Sequence, residues 1–404
     1  MNSRERVRAA LSHREPDKVP LDFGGMGSTG IMAGAYGELR KYLGLKEGRI
    51  RVYDFGQQLA EPEPDILERF GVDVVDLFNT AVYPDNRGWA PWTLPDGQPA
   101  ERPAKLLLDE DGAGGFVLKD ATGQPIARMP KGCLYFDGVQ PPLGEPPKSL
   151  DEYNIPILTD EFLELIQTRA QWLHDNTDFA IMAGFGGNLL ETGQGLRGWG
   201  NFMMDLAGDR RFAEDLLDKI TETHLYNLRR FLDAVGENID LIQMGDDLGT
   251  QHATQVSPEM YHDLFYPRHK QIYRYIRENS SVAVFLHSCG SLTPLIPDLI
   301  DAGVQALNPV QTSAADMDPI LLKRNFGDQL TFWGGGCDTQ TVLPNGTPEE
   351  IDAHVRDRIS IFAPGGGFVF CQIHNIQSGI PARNVVAMFE SFSQCRSYPI
   401  GCGE

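Results

Sequence analysis

From residue 155 onward the chain alternates between two kinds of apolar pattern. Stretches with apolar residues three and four apart read as amphipathic helices, and short unbroken apolar runs read as strands buried on both faces. The stripe Leu163, Ile166, Ala170 and Leu173 leads into the run 179–187, and a longer stripe through Phe212, Leu216, Ile220, Leu228 and Phe231 leads into 239–247. Ser257 followed by Pro258 reads as an N-cap with proline at the first helical position, and that helix precedes the run 281–290. The rhythm continues from 291–303 into 304–311, from 317–327 into 330–336, and from 347–360 into 365–377, with Thr347 and Glu350 spaced as a capping box. With further runs at 51–56 and 72–78, about eight βα units result, which predicts a (β/α)8 TIM barrel.

Two segments stand outside the rhythm. Near the start, Ser3 reads as the N-cap of a short helix with Val7, Ala10 and Leu11 on one stripe, ending before Pro16. Residues 87–148 are rich in Pro and Gly, and 114–129 reads as a β-hairpin with Gly123 in its turn. This stretch has too few apolar residues for a core of its own. The expectation is one barrel domain over 1–404 carrying a small β-rich insertion at about 87–148. No G-x-G-x-x-G opens a helix after the first strand, so a dinucleotide site has no support.

Composition narrows the function classes. With 41% hydrophobic and 23% charged residues the chain is ordinary globular material. Its net charge of −21 excludes a nucleic-acid binder, which needs a basic stripe to neutralise phosphates. No run approaches the ~18 apolar residues of a membrane span, and the charged N-terminus lacks the apolar core of a signal peptide. The six cysteines, Cys133, Cys289, Cys337, Cys371, Cys395 and Cys402, are spread too thinly for a secreted disulfide framework. A cytoplasmic enzyme with free thiols is expected, and free thiols are available as metal ligands.

The polar residues collect where the apolar runs end. These are Gln243 to Asp247, His287 to Gly290, Asn308 to Gln311, Gly336 to Gln340 and Cys371 to Gln377. In a barrel such clusters face one mouth, the carboxyl ends of the strands, where chemistry belongs. His287 and Cys289 are two apart, so imidazole and thiol project to the same side of a strand, and both are zinc ligands. The third ligand expected is Cys337, which ends another strand after three glycines that let the backbone come close to something bulky. Cys371 is the rival, with Phe370 and Ile373 suggesting that it still lies in the barrel wall. Glu191 is the candidate carboxylate for a fourth position, unless it caps a helix or pairs with Arg197. Asp246 and Asp247 face opposite ways, with Asp247 the inward group. The amides Asn308, Gln311, Gln340 and Asn375 are the candidate substrate-binding residues.

At these residues the sequence resembles the uroporphyrinogen decarboxylase superfamily, and within it the zinc- and corrinoid-dependent methyltransferase branch. The motifs are FLHSCGSLTPLIPDLIDAGVQALNPVQ (285–311), FWGGGCDTQTVLP (332–344), GGGFVFCQIHNIQSGIPARNVVAMFE (365–390) and DLGTQHATQVSPEMYHDLFYPRHK (247–270), with the opening RERVRAALSHREPDKVPLDF. The arginine-containing signature that holds substrate carboxylates in the decarboxylase is absent after Pro20, which speaks against a tetrapyrrole substrate. The methyltransferase branch uses a His-x-Cys pair, matched by His287 and Cys289, plus a distant cysteine. In the methanogen enzymes that cysteine looks closer to 371–378 than to 337, so the third ligand stays open.

The wording GGGCDTQ and HNIQ is more similar to ether-cleaving methyltransferases. The resemblance implies Zn2+ as cofactor, a small methylated substrate with a methyl ether favoured, and transfer to cob(I)alamin carried by a partner corrinoid protein. Asp247 or His374 would supply a proton to the departing oxygen. The alternative is a metal-free decarboxylase or lyase of the same superfamily. A zinc-stabilised accessory subunit would show a closed four-ligand site. The oligomeric state, homo-oligomer included, is left open.

Overall fold

A computed structural model describes residues 1–45, 47–79, 81–83, 88–144 and 149–401. Seven parallel strands run in chain order around a curled sheet: β1 (Val74–Asp76), β2 (Ala180–Gly186), β3 (Leu241–Gly245), β4 (Ala283–His287), β5 (Ala306–Asn308), β6 (Thr331–Trp333) and β7 (Phe368–Val369). Extended chain around Leu21 closes the ring. Phe370 N–H donates to Pro20 O (2.9 Å), Asp22 N–H to Phe370 O (2.9 Å) and Asp73 N–H to Leu21 O (2.8 Å), joining β7 to β1. The architecture is the expected TIM barrel, with one stave in a different place.

The run at 51–56 is not that stave. Val52–Asp54 pairs antiparallel with Leu59–Ala60, which pairs with Ile31–Met32 in a separate three-stranded sheet. The stave around Leu21 escapes a pattern reading because Pro20 interrupts it and has no N–H to give to a ladder. Its apolar residues Val19, Leu21 and Phe23 are nevertheless fully buried.

Alternation along the strands produces two packed layers. Val74, Ala180, Met182, Leu241, Ala283, Phe285, Ala306, Trp333, Val369 and Cys371 form the cluster inside the ring. Their neighbours Val75, Ile181, Ile242, Val284, Leu286, Leu307, Phe332 and Phe370 join the outer core beneath the helices. Phe332 meets Phe362 of the helix Pro348–Phe362 at 5.2 Å, and Phe370 stacks on Phe392 of the helix Ala382–Cys395 at 4.2 Å between ring centroids. The helix Ser3–Leu11 puts Val7 and Ala10 into the interior cluster, and Ala10 O accepts from Gly367 N–H just ahead of β7, so this helix plugs the amino end. Its N-cap is Asn2, not Ser3. Asn2 and Glu5 exchange side-chain and backbone hydrogen bonds as a capping box, while Ser3 Oγ donates to Asp73 (2.8 Å). Ser257 and Thr347 cap their helices as expected.

Within the insertion, Phe116–Lys119 and Pro125–Met129 form the hairpin, with Gly123 at φ 85°. They extend into a four-stranded antiparallel sheet, and Trp89–Thr93 pairs separately with Pro99–Pro103. The insertion's expected limits at residues 87 and 148 lie outside the described residues, as does Cys402. Among the described residues no helix is long and apolar enough to cross a membrane.

Candidate metal centre

Strand alternation turns Phe285 inward and Leu286 outward, so His287 faces inward at the carboxyl end of β4. The chain then folds tightly. Cys289 N–H donates to Asp247 Oδ1 (2.8 Å), and Leu248 N–H donates to Ser288 Oγ (3.0 Å), tying the turns after β3 and β4 together. Gly290 at φ 91° makes that approach feasible, since a Cβ there would lie 2.5 Å from the carbonyl carbon of Gly249. As a result His287 Nε2 and Cys289 Sγ stand 3.5 Å apart. Two tetrahedral zinc ligands with ordinary bond lengths are separated by about 3.6 Å. His374 is the third member: the ligand atoms of His287, Cys289 and His374 all lie within 4.8 Å of one another, the metal-competent group of histidines, cysteines and carboxylates found among the described residues.

The tautomer of His287 follows from its neighbours. Asn308 Nδ2 donates to the carbonyl oxygen of Trp333 (2.9 Å), so Asn308 turns Oδ1 toward His287 Nδ1 (2.7 Å). Only a protonated Nδ1 can donate there, which leaves a lone pair on Nε2 facing the cluster. Ser28 Oγ, 3.3 Å from Nε2, donates to it. Burial, and then the neighbouring His287, push the His374 imidazole down to about 4, so it is neutral, as a ligand must be. Burial followed by the Asp247 carboxylate pushes the Cys289 thiol up, so a thiolate at this position calls for a bound cation. Two imidazoles and a thiol make a donor set that fits zinc with a position left open for substrate.

The expected third ligand is elsewhere. Cys337 is fully buried in the outer core beneath the helices, its Sγ 3.9 Å from the carbonyl oxygen of Asp338. The glycines ahead of it explain the difference. Gly334 and Gly335, at φ 105° and 71°, wind the chain so that Cys337 bridges to Gln372 in parallel fashion. The bulk they admit is protein: a Cβ on Gly334 would sit 3.2 Å from Cys371 Sγ and 3.3 Å from Asn308 Nδ2. Cys371 is fully buried in the interior cluster with Val369 and Trp333.

Among the acids, Asp246 accepts from the backbone N–H groups of Leu189, Leu190 and Glu191 at 2.9–3.0 Å, pinning the start of the helix Leu190–Arg197, and lies 3.2 Å from His269 Nε2. Asp247 faces the cluster, its Oδ1 3.9 Å from His287 Nε2. Glu191 does not join the metal group. It accepts from Asn188 Nδ2 (2.5 Å) and Asp247 N–H (3.0 Å), and burial beside Asp247 and Asp246 pushes it up to about 7. Arg197 pairs with Asp205 instead of Glu191.

The candidate substrate amides divide. Asn308 is fully buried, with its Oδ1 against His287 Nδ1. Gln311 accepts from Gly290 N–H and donates to Gln251, and Gln340 also donates to Gln251, so both hold loops together. Gln311, Gln340 and Asn375 line a cavity of about 730 Å3 that also contacts Cys289 and His374, and Tyr135 of the insertion forms part of its wall. A second cavity of about 860 Å3, against the helix Pro319–Phe326, touches none of the three metal-competent residues.

Sequence reasoning passed over Ser28, which sits in the glycine-rich segment after Pro20 and carries no motif of its own. It also passed over Asp76, the last residue of β1, which the strand-end criterion would have found. Burial pushes Asp76 up to about 7. Asp22, on the closing stave, accepts from Trp333 Nε1 (2.8 Å) inside the ring, and burial pushes it up to about 6.

Comparisons with known proteins extend this picture. A methyltransferase from Methanosarcina mazei superposes with a TM-score of 0.58 over 98% of this chain and 99% of its own, at 16% identity, a likeness of fold. A D-psicose 3-epimerase crystallised with D-fructose is 15% identical over 59% of this chain and 82% of its own, and at a TM-score of 0.28 it carries no argument. A search of curated proteins returns no significant match. The sequence profile of the family described as uroporphyrinogen decarboxylase (URO-D) matches residues 188–395, more than half of the 404 residues and the part that supplies β3 to β7 with His287, Cys289 and His374. The chain belongs to the uroporphyrinogen decarboxylase family.

Proposed function

We propose that this protein is a zinc-dependent methyltransferase that moves a methyl group from a small methylated donor, a methyl ether by preference, to the cob(I)alamin of a corrinoid protein. The observation that carries the reading is the convergence of His287 Nε2, Cys289 Sγ and His374 at the mouth of the barrel, within 4.8 Å of one another. Membership of the family and the shared fold with a solved methyltransferase support it.

His287, Cys289 and His374 would hold the metal, which supplies Lewis acidity to take up negative charge developing on the ether oxygen. Asn308 fixes the ring of His287 and thereby the direction of its lone pair. The cavity beside Cys289 and His374 binds the ether and keeps its methyl carbon in line with the acceptor, which docks over the mouth. Asp247, whose Oδ1 lies 3.9 Å from His287 Nε2, is placed to carry a proton to the departing oxygen. His374, expected to act in proton transfer, serves as a ligand in this reading. The chain works as one barrel in the cytoplasm, with the β-rich lobe contributing Tyr135 to the mouth.

The test is to load the purified protein with zinc, add free cob(I)alamin and a panel of methyl ethers, methylamines and methyl thioethers, and follow methylcobalamin by absorbance. Stoichiometric zinc with methylcobalamin formed from an ether is the expected result. Protein that binds no zinc, or forms no methylcobalamin from any donor, refutes the proposal.

A further inference from the structure

The helix Trp199–Gly208 stands at the rim of the barrel mouth. It follows the helix Leu190–Arg197, which leaves the carboxyl end of β2, and precedes the helix Arg210–Val235, whose 26 residues run back toward the start of β3. Two side chains link this rim to the metal centre. Gln194 Nε2 donates to Gln255 Oε1 (3.1 Å), and Gln255 Nε2 donates to the carbonyl oxygen of Asp247 (2.6 Å). On its other side the rim meets the insertion, where Leu143 N–H donates to Leu196 O (2.7 Å).

The rim exposes apolar groups on a surface without charge. Trp199 is 62% exposed and Met204 63%. Between Thr192 and Gly208 the only charged residues are Arg197 and Asp205, which pair with each other at 2.7 Å, both side chains largely buried. The chain as a whole is 23% charged residues with a net charge of −21. A charge-free face with an exposed tryptophan and methionine has the composition of the centre of a protein interface. Charged residues resume at Asp209, Arg210 and Arg211, as a polar margin does around such a centre.

Two glycines on this rim are not required by the packing of the chain itself. Gly195 and Gly200 are helical and exposed, neither has a positive φ, and a Cβ on either meets nothing within 4 Å. Gly193 differs, since a Cβ there would lie 2.4 Å from the ring of Phe202. Glycine weakens a helix relative to alanine, so its use at 195 and 200 keeps the rim flat for a second surface.

We infer that the rim formed by Gly195, Trp199, Gly200 and Met204 is the docking surface for the corrinoid protein. This rests on the methyltransferase reading. Cobalt takes a methyl group only from a donor held within bonding reach, so the carrier covers the mouth and its protein surface falls on the rim. A second copy of this chain is a poorer occupant, because contact would bring together two chains of net charge −21.

The corrinoid protein, purified from the producing cells by its corrin absorbance, is titrated into the zinc-loaded enzyme, and methyl transfer from an ether to free cob(I)alamin is followed in parallel. Trp199→Ala weakens carrier binding by about thirtyfold. Gly200→Gln, which adds bulk where the chain has open space, weakens it by about tenfold or more and does not lower the melting temperature. Both variants methylate free cob(I)alamin at the unmodified rate. Unchanged carrier binding in either variant, no carrier binding to the unmodified enzyme, or an equal loss of transfer to free cob(I)alamin overturns the inference. An unmodified enzyme that is a dimer and is dissociated by Gly200→Gln gives the surface to a second copy and overturns it as well. Carrier binding with the expected losses, but no methylcobalamin from free cob(I)alamin, leaves the docking surface standing and removes the methyl-transfer reading.

Discussion

Truncating His374 to alanine removes one of the three groups whose donor atoms lie within 4.8 Å, while His287 and Cys289 keep their 3.5 Å spacing. Structural zinc sites with four ligands are worth about 10–16 kcal/mol, or on the order of 3 kcal/mol per ligand. Loss of one ligand therefore weakens zinc binding by about a hundredfold or more. Cys337→Ala is the matched control. Its thiol is fully buried in the outer core, so the substitution leaves a small void costing about 1 kcal/mol of stability, with zinc affinity unchanged. Competition against a chromophoric zinc chelator measures the affinities. Cobalt(II) in place of zinc adds a thiolate charge-transfer band that reports whether Cys289 still binds, and that band persists in His374→Ala at higher cobalt. A hundredfold loss of zinc in Cys337→Ala, with His374→Ala within a few-fold of the unmodified protein, would refute the ligand set.

Two further substitutions probe the supporting shell. Asn308→Ala frees the ring of His287 and lowers zinc affinity by about 10–100-fold, and Asn308→Asp, which still accepts from Nδ1, recovers most of it; equal affinities in all three proteins would remove Asn308 from the site. Asp22 is held up at about 6 by burial against its ordinary 3.8, so the folded state binds its proton more readily than the unfolded state. Its contribution to stability is full below about pH 3.8 and is lost as pH rises through about 6, amounting to about 3 kcal/mol across that window. Chemical denaturation of Asp22→Asn against the unmodified protein should show a stability difference that changes by this order between pH 4 and pH 7, and parallel profiles would contradict the shift.

The strand rhythm was legible because each barrel strand is apolar on both faces, so 239–247, 281–290 and 304–311 stand out whatever their partners. The stave around Leu21 was not, because Pro20 breaks its pattern and its pairing is visible only once β7 and β1 are in place. The His287 and Cys289 pair was legible from its spacing along one chain segment. The third partner was not. Cys337 and His374 both follow strand ends, and choosing between them needs the turn taken at Gly334 and Gly335, whose φ angles of 105° and 71° are not written in residue type alone. The amide at 308 was legible as a strand-end polar group, but the direction of its Oδ1 was not, since its contact with Trp333 decides which way Oδ1 faces.

The sequence by itself determined the class of fold, the end of the barrel where polar groups gather, and the imidazole and thiol that share a strand side. Those properties follow from periodicities of 2 and 3.6 residues, which act within one segment. Tertiary structure alone decided that His374 joins the cluster, that Cys337 packs beneath the helices, and that Asn308 turns Oδ1 toward His287 Nδ1. Each of those depends on which segments lie side by side and at what register. That is settled by the closing of the whole ring and by close backbone approaches such as the one at Gly290, and the local pattern does not encode it.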